Sequence, residues 1–189
     1  GPRSLGCRSI LADPRVDDMQ NTLNLKIKYR ESFRPFAPSV LKESVDAWFA
    51  SNINSPYMLL VDEVHQDLCF EISETEGGLQ GFERMQIKRS EIPAVTHIDC
   101  SARVHTVSKE LNPLSHSLIS CFNEKTGCPV VVNTSFNVRG EPIVCSPSDA
   151  FRCFLGTELD LLAIGNCLLK KTEQRLSLTD THRLNFEND

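Results

Sequence analysis

Pro129-Val130-Val131-Val132-Asn133-Thr134-Ser135-Phe136-Asn137-Val138-Arg139-Gly140 is the stretch on which the fold turns. Three consecutive valines without polar alternation read as a strand buried on both faces, as in a sheet covered by helices. The strand ends in amides and hydroxyls, and ligands of α/β sheets bind where strands end in this way. Thr134, Ser135 and Asn137 supply donors there, Arg139 adds charge, and Gly140 lets the backbone approach a ligand closely. An ordinary Asn/Ser/Gly turn has the same composition, so the segment by itself leaves both readings open.

Outward from this strand, helices and strands alternate. Upstream, Asn112-Pro113 opens a helix with Leu114, Leu118 and Phe122 on one face and a stop at Gly127. Downstream, Ser146-Pro147-Ser148-Asp149 reads as a capping box with Asp in the usual Glu or Gln place, opening a helix that buries Ala150, Phe151 and Phe154. Leu161–Ile164 reads as a last strand. Nearer the start, Asp13-Pro14 reads as a helix start, with Val16, Met19, Leu23 and Ile27 at helical spacing and an end near Lys28. A short helix over residues 43–50 buries Val45, Trp48 and Phe49. Tyr57–Val61, Pro93–Asp99 and Ala102–Val107 read as strands, the last two adjacent around Asp99-Cys100-Ser101. Residues 65–90, with Gly77, Gly78, Gly81 and many charges, read as an inserted loop or hairpin, and residues 172–189 as a polar, loosely held tail. The rhythm is not a strict βαβ repeat. The expected fold is α/β or α+β, with a mixed sheet flanked by helices.

Charge narrows the function. The 189 residues carry a net −5, with 40% hydrophobic and 24% charged residues. That excludes a wholly disordered chain and argues against a general nucleic-acid surface. An anion site must then be a local concentration of cations. Lys26, Lys28, Arg30 and Arg34 form one, opposed between Asn24 and Pro38 only by Glu31. Lys28 and Arg30 would share a face of an extended stretch and hold a phosphate from one side. A solvated helix end would carry the same charges. Arg103, between Ala102 and Val104, would need an anion if it faced a buried side. His97 and Asp99 would share a strand face, but two residues are too few for zinc, so no metal site is expected. Arg3 and Arg8 flank Gly6 as a further, short anion signal.

Eight cysteines, at positions 7, 69, 100, 121, 128, 145, 153 and 167, form no C-x-x-C. They read as reduced core cysteines of a cytosolic protein. No run has the apolar length of a membrane span, and no signal peptide is visible. Gly1-Pro2 reads either as a tag remnant or as native sequence within a longer motif. P-loop, G-x-G-x-x-G, H-E-x-x-H and G-x-S-x-G patterns are absent from the chain.

Four stretches carry a family resemblance. Gly1-Pro2-Arg3-Ser4-Leu5-Gly6-Cys7-Arg8-Ser9-Ile10-Leu11-Ala12-Asp13-Pro14-Arg15 resembles the G-P-R-A-L-G-N-R-S-I-L-A-D-P-R signature of the O-carbamoyltransferases of nodulation factors, cephamycin and tobramycin. Residues 28–38 are similar to their K-x-R-E-x-F-R-P-F-A-P stretch. Residues 94–104, and 133–137 running on through Glu141-Pro142-Ile143, complete the set in the family's order. The likeness runs from Gly1 to about Lys171. Cys7 stands where the family usually has Asn and Cys100 where it usually has Gly, and the 65–90 stretch is longer than usual.

The resemblance implies a YrdC-like twisted mixed sheet over residues 1–171 and a further, actin/Hsp70-like N-terminal domain that performs the transfer and holds a metal. It implies that carbamoyl phosphate and ATP give carbamoyl-adenylate, pyrophosphate and phosphate, with Mg²⁺ arriving on the ATP phosphates. Lys28, Arg34, Arg103 and Ser135 would act on the carbamoyl and phosphate groups, with Arg3 joining from the opening motif. The YrdC family's K-x-R pair and S-x-N triplet fall on Lys28/Arg30 and Ser135/Asn137. Thr134 and Arg139 would add contacts from the same turn. Expected partners are small-molecule substrates and the transfer domain; a membrane and nucleic acid are not expected, and a homodimer is compatible. The acceptor hydroxyl stays open. A non-catalytic module binding nucleotide or carbamoyl phosphate is the competing reading, and an RNA-binding module, disfavoured by the acidic balance, a third.

Overall fold

The triple valine does form a buried strand. In the computed structural model, which describes residues 4–72, 78, 81–85 and 87–174, Val130, Val131 and Val132 are all buried. The chain divides into two compact units, Gly1–Gln20 with Phe33–Thr134, and Asn21–Ser32 with Ser135–Asp189.

The first unit is built on a five-stranded mixed sheet. Its strands are β1 (Ser9–Ala12), β2 (Ala37–Leu41), β3 (Leu60–Glu63), β4 (Ser101–Val107) and β5 (Val130–Ser135), in the spatial order β1-β5-β2-β4-β3. β2 runs parallel to β4 and antiparallel to β5, with Ser39 opposite both His105 and Val131, while β3 runs antiparallel to β4. A helix, Pro113–Thr126, supplies Ile119 to a cluster with Leu41, Val107 and Val131. Its ends follow from the sequence. The Asn112 side chain accepts from the Ser115 N–H, Pro113 sits in the first turn, and Gly127 turns left-handed at φ 74°. Inside the sheet lies a buried polar trio. Ser39 Oγ and His105 Nδ1 are 2.7 Å apart, and Asn133 Nδ2 donates to Ser39 Oγ at 2.8 Å. Burial pushes the His105 pKa down to about 4, so the imidazole is neutral.

The second unit holds a wide-turn π-helix, Thr22–Ile27, a helix over Pro147–Leu155 and a hairpin of β6 (Leu161–Ile164) with β7 (Cys167–Lys170). Chain-order labels for the α-helices are α1 (Met19–Asn21), α2 (Val45–Trp48), α3 (Gly81–Met85), α4 (Pro113–Thr126) and α5 (Pro147–Leu155). At α5 both halves of the capping box form: Ser146 Oγ accepts from Asp149 N, and Asp149 Oδ2 accepts from Ser146 N. At its other end the Lys171 ammonium donates to the carbonyls of Phe154, Leu155 and Thr157 at 2.6–2.8 Å. That arrangement satisfies acceptors left open where the helix stops.

Several expectations are corrected. Asp13-Pro14 starts no helix; Asp13 instead binds the Arg15 backbone and guanidinium, and α1 begins at Met19. Tyr57–Val61 is not a buried strand. Met58 turns left-handed at φ 56°, and Tyr57, Leu59, Leu60 and Val61 are exposed where the chain enters the edge strand β3. Residues 93–99 form no strand, because Pro93–Val95 is a 3₁₀ turn and Cys100 has φ 60°. On α4, Leu114 and Leu118 are exposed and Ile119 is the buried residue; on α5, Phe151 is exposed and Cys153 buried. Trp48 is half-buried, beside fully buried Val45 and Phe49. Only Cys128 and Cys153 are core cysteines; Cys7, Cys121, Cys145 and Cys167 are exposed. Strands β1, β2 and β7 were not expected. Pro38 hides β2, since proline weakens any strand reading. Across the 65–90 stretch, Cys69 bridges Ser90 and Phe70 N–H donates to Arg89 O at 2.7 Å. The tail expected over residues 172–189 lies outside the described residues beyond Gln174, as does Arg3.

Candidate functional site

Lys28 closes the π-helix, its N–H donating to Leu23 O at 2.8 Å. The side chain stays within the second unit and is only 4% exposed. Its Nζ meets four neutral acceptors: Ser135 O at 2.7 Å, Ser135 Oγ at 3.2 Å, Asn137 O at 2.8 Å and Asn137 Oδ1 at 2.7 Å. Ser135 Oγ donates to Asn137 Oδ1 at 2.6 Å, and Asn137 Nδ2 donates to Glu141 O at 2.7 Å. A lysine and an S-x-N triplet more than a hundred positions apart thus form one hydrogen-bonded cluster.

The electrostatics are unusual for a lysine. Burial, with the Arg30 charge second, lowers the Lys28 pKa to about 7, against small raising contributions from Cys153 and Glu141. The four oxygens favour the ammonium but carry no full charge, so they offset only part of the desolvation. A group of this kind gains greatly from an incoming anion, which would supply the missing countercharge.

Tyr29 decides how the pair Lys28/Arg30 is presented. Its φ is 49°, a left-handed conformation that costs a non-glycine residue roughly 1–2 kcal/mol. Its hydroxyl donates to Gly156 O at 2.8 Å. The kink overturns the expectation of an extended pair sharing one face. Lys28 goes to Ser135 and Asn137, while Arg30 Nε donates to Asn24 Oδ1 at 2.7 Å and Arg30 N to Asn24 O at 3.0 Å. Asn24 is fully buried, and its Nδ2 donates to Ser32 O at 2.9 Å, so it braces the loop on both sides. The polar Asn24 within an apolar helical pattern was the available signal for this role, and it was missed.

The other expected residues are placed as follows. Arg139 lends its N–H to Lys28 O at 3.2 Å, while its exposed guanidinium sits 3.8 Å from Glu31. Thr134 is half-buried near the end of β5. Arg34 and Arg103 belong to the first unit. Arg34 is exposed, and its carbonyl accepts from Gln20 Nε2 at 3.2 Å. Arg103 is half-buried on β4 opposite Val61, with Nη2 3.8 Å from Met58 Sδ. Glu141, not expected, follows the cluster and joins Pro142, Ile143, Val144, Cys145, Asp149 and Arg152 around an open pocket of 270 Å³. Among the described residues no three His, Cys, Asp or Glu side chains group as a metal site, and no helix is long and apolar enough to cross a membrane.

Comparison with known proteins bears on what such a cluster serves. The model of the family described as carbamoyltransferase C-terminus matches residues 1–171. The chain is 41% identical over 174 residues to nodulation protein NolNO of Sinorhizobium fredii, covering 90% of this chain and 23% of that protein. It is 36% identical over 149 residues to the 3'-hydroxymethylcephem-O-carbamoyltransferase of Amycolatopsis lactamdurans, covering 79% and 24%. An uncharacterised protein of Synechocystis is 55% identical over 174 residues, 92% of this chain and 28% of its own length. The chain therefore spans about a quarter of the length of these relatives. On the match across residues 1–171, the chain belongs to the carbamoyltransferase C-terminus family.

Proposed function

We propose that this chain is the C-terminal part of an O-carbamoyltransferase and that the Lys28–Ser135–Asn137 cluster binds carbamoyl phosphate and ATP to form carbamoyl-adenylate. The observation that carries the reading is the buried Lys28 Nζ, held by Ser135 and Asn137 with no full countercharge in its hydrogen-bonding shell. The relative that is named a 3'-hydroxymethylcephem-O-carbamoyltransferase supports the carbamoyl chemistry. With water, carbamoyl phosphate and ATP give carbamoyl-adenylate, pyrophosphate and phosphate. A carbamate oxygen bonds to the α-phosphorus as the bond to pyrophosphate breaks. Charge then gathers on phosphoryl oxygens, and Lys28, the Ser135 hydroxyl and the Asn137 amide are donors of the type that stabilises it. ATP would bring Mg²⁺ on its phosphates. Arg3, Arg34 and Arg103 are proposed to contribute further cationic contacts, and transfer to a hydroxyl acceptor is proposed to belong to an N-terminal, metal-holding domain.

The test is exchange of labelled pyrophosphate into ATP, with and without carbamoyl phosphate. It is run on this chain alone and joined to the N-terminal part of a longer relative. Carbamoyl-phosphate-dependent exchange is expected, reduced about 100-fold or more in Lys28→Met, the scale of losing one preorganised donor. Nucleotide binding without exchange in either protein would instead favour a non-catalytic binding module.

A further inference from the structure

The side of α4 that carries Ile119 packs on the sheet, and the opposite side is apolar as well. There Leu111 is 72% exposed, Leu114 84% and Leu118 49%, and Cys121 is exposed with them. Leu111 stands in the turn that enters the helix, where its N–H donates to Ser108 Oγ at 3.3 Å and the Asn112 N–H donates to Ser108 O at 3.0 Å. From Leu111 to Leu114, Leu118 and Cys121 the steps are three, four and three residues. That is the spacing of a seam between two paired helices. The opening loop reaches the first turn of α4, with Asn112 Nδ2 donating to Leu5 O at 2.7 Å, and still leaves the stripe open. Single exposed leucines are ordinary, but a continuous row of them along one helix marks a contact surface.

Charge selects what covers it. Each end of the stripe carries one lysine and one glutamate, Lys109 and Glu110 before it and Glu124 and Lys125 after it, all four exposed. If a second copy of the helix packed parallel, Glu110 would stand beside Glu110 and Lys125 beside Lys125, with the two helix dipoles aligned. Antiparallel packing reverses both effects. About a two-fold axis between Ser117 and Leu118, Leu114 meets the partner's Cys121 and Glu110 meets the partner's Lys125. Lys109 comes near the partner's Glu124 in the same register. The surface is thus complementary to itself, and each opposite-charge contact occurs twice. Ser117, small and exposed, lies beside the axis, where the two helices come closest.

We propose that α4 is a self-association surface, on which a second copy of this chain docks its own α4 antiparallel with Leu111, Leu114, Leu118 and Cys121 in the seam. The leucine side chains leave water on both sides of the axis, which supplies the driving force. The charged ends fix direction and register, because a parallel or shifted pairing sets like charges together. Docking leaves the sheet side of the helix as it is, with Ile119 still packed among Leu41, Val107 and Val131. A seam of one helix per copy belongs at the weak end of specific interfaces, so the dimer is expected to form at roughly tens of micromolar. The surface is independent of the proposed carbamoyl chemistry.

The test is sedimentation equilibrium of the full chain over a range of concentrations, at low salt and with a reductant that keeps Cys121 from forming disulfides. The mass is expected to rise from one chain toward two. Leu114→Glu and Leu118→Glu, both at exposed positions, should each weaken the dimer about tenfold or more without changing the circular dichroism spectrum. Glu110→Lys alone and Lys125→Glu alone should each weaken it roughly threefold to fivefold, and the two together should restore it. Restoration is the decisive result, since only antiparallel pairing brings those two positions together; should a leucine variant misfold, the charge variants decide alone. A chain that stays monomeric at every concentration, a dimer indifferent to all four substitutions, or a double reversal weaker than either single one would overturn the proposal. So would a monomeric chain in which Leu114→Glu lowers the melting temperature only after fusion to the N-terminal part of a longer relative, because the stripe would then be covered by that part.

Discussion

Lys28 shows how one side chain can be placed where water would ordinarily have to follow. In the unfolded chain it holds its proton up to about 10.5, and in the folded chain only to about 7. Between those values the unfolded chain binds more protons, so the Lys28 contribution to stability rises with pH from about 7 to about 10.5. The stability difference between wild type and Lys28→Met, from urea melts at several pH values, is therefore expected to move in favour of wild type across that window. Taking the difference removes the thiols of Cys69 and Cys128, whose raised values act in the opposite direction; Cys153 is coupled to Lys28 and changes with it. A flat difference would show that the ammonium keeps its proton when buried. Cys100 gives a second residue-scale expectation. Replacing it by glycine at φ 60° relieves a left-handed conformation and is expected to stabilise the chain by about 1 kcal/mol in the same melts. The residue chemistry of the cluster was legible because Lys28, Ser135 and Asn137 lie in motifs that stand out by charge and polarity. The handedness of Tyr29 was not legible, since nothing in a tyrosine announces a positive φ.

At the scale of elements, local signals were read well where they are chemical and poorly where they depend on packing. The Ser146/Asp149 capping box and the Asn112-to-Gly127 limits of α4 were visible because caps are made by neighbours in sequence. Ser146→Ala is expected to cost about 1 kcal/mol in thermal unfolding. Asp149→Ala added to it should cost less than its separate effect, because the two side chains cap one another. The faces of the helices were misread. Leu114 and Leu118 have helical spacing with Phe122, yet the sheet takes Ile119; spacing defines a stripe without saying which stripe the fold will cover. β2 escaped because Pro38 lacks an N–H, and β7 because its turn at Gly165-Asn166 follows so soon after β6.

For the molecule as a whole, mixed α/β character followed from alternation of buried runs and capped helices, and the five-stranded sheet bears that reading out. What the sequence could not convey is the division into two units that interleave along the chain. Residues 21–32 leave the first unit's sequence to join those after 135. The match to the family ends at residue 171, and that residue makes a contact of its own. Lys171 is the last cation among the described residues, and its ammonium gathers three carbonyls at the close of α5 while lying 5.0 Å above the Phe154 ring. It works as a clasp on the end of α5. A protein ended after residue 170 should melt several degrees lower than one ended after residue 174, since charge-assisted hydrogen bonds of this sort contribute about 1.5–3 kcal/mol. How close to α5 the chain can be cut is thus set by one lysine.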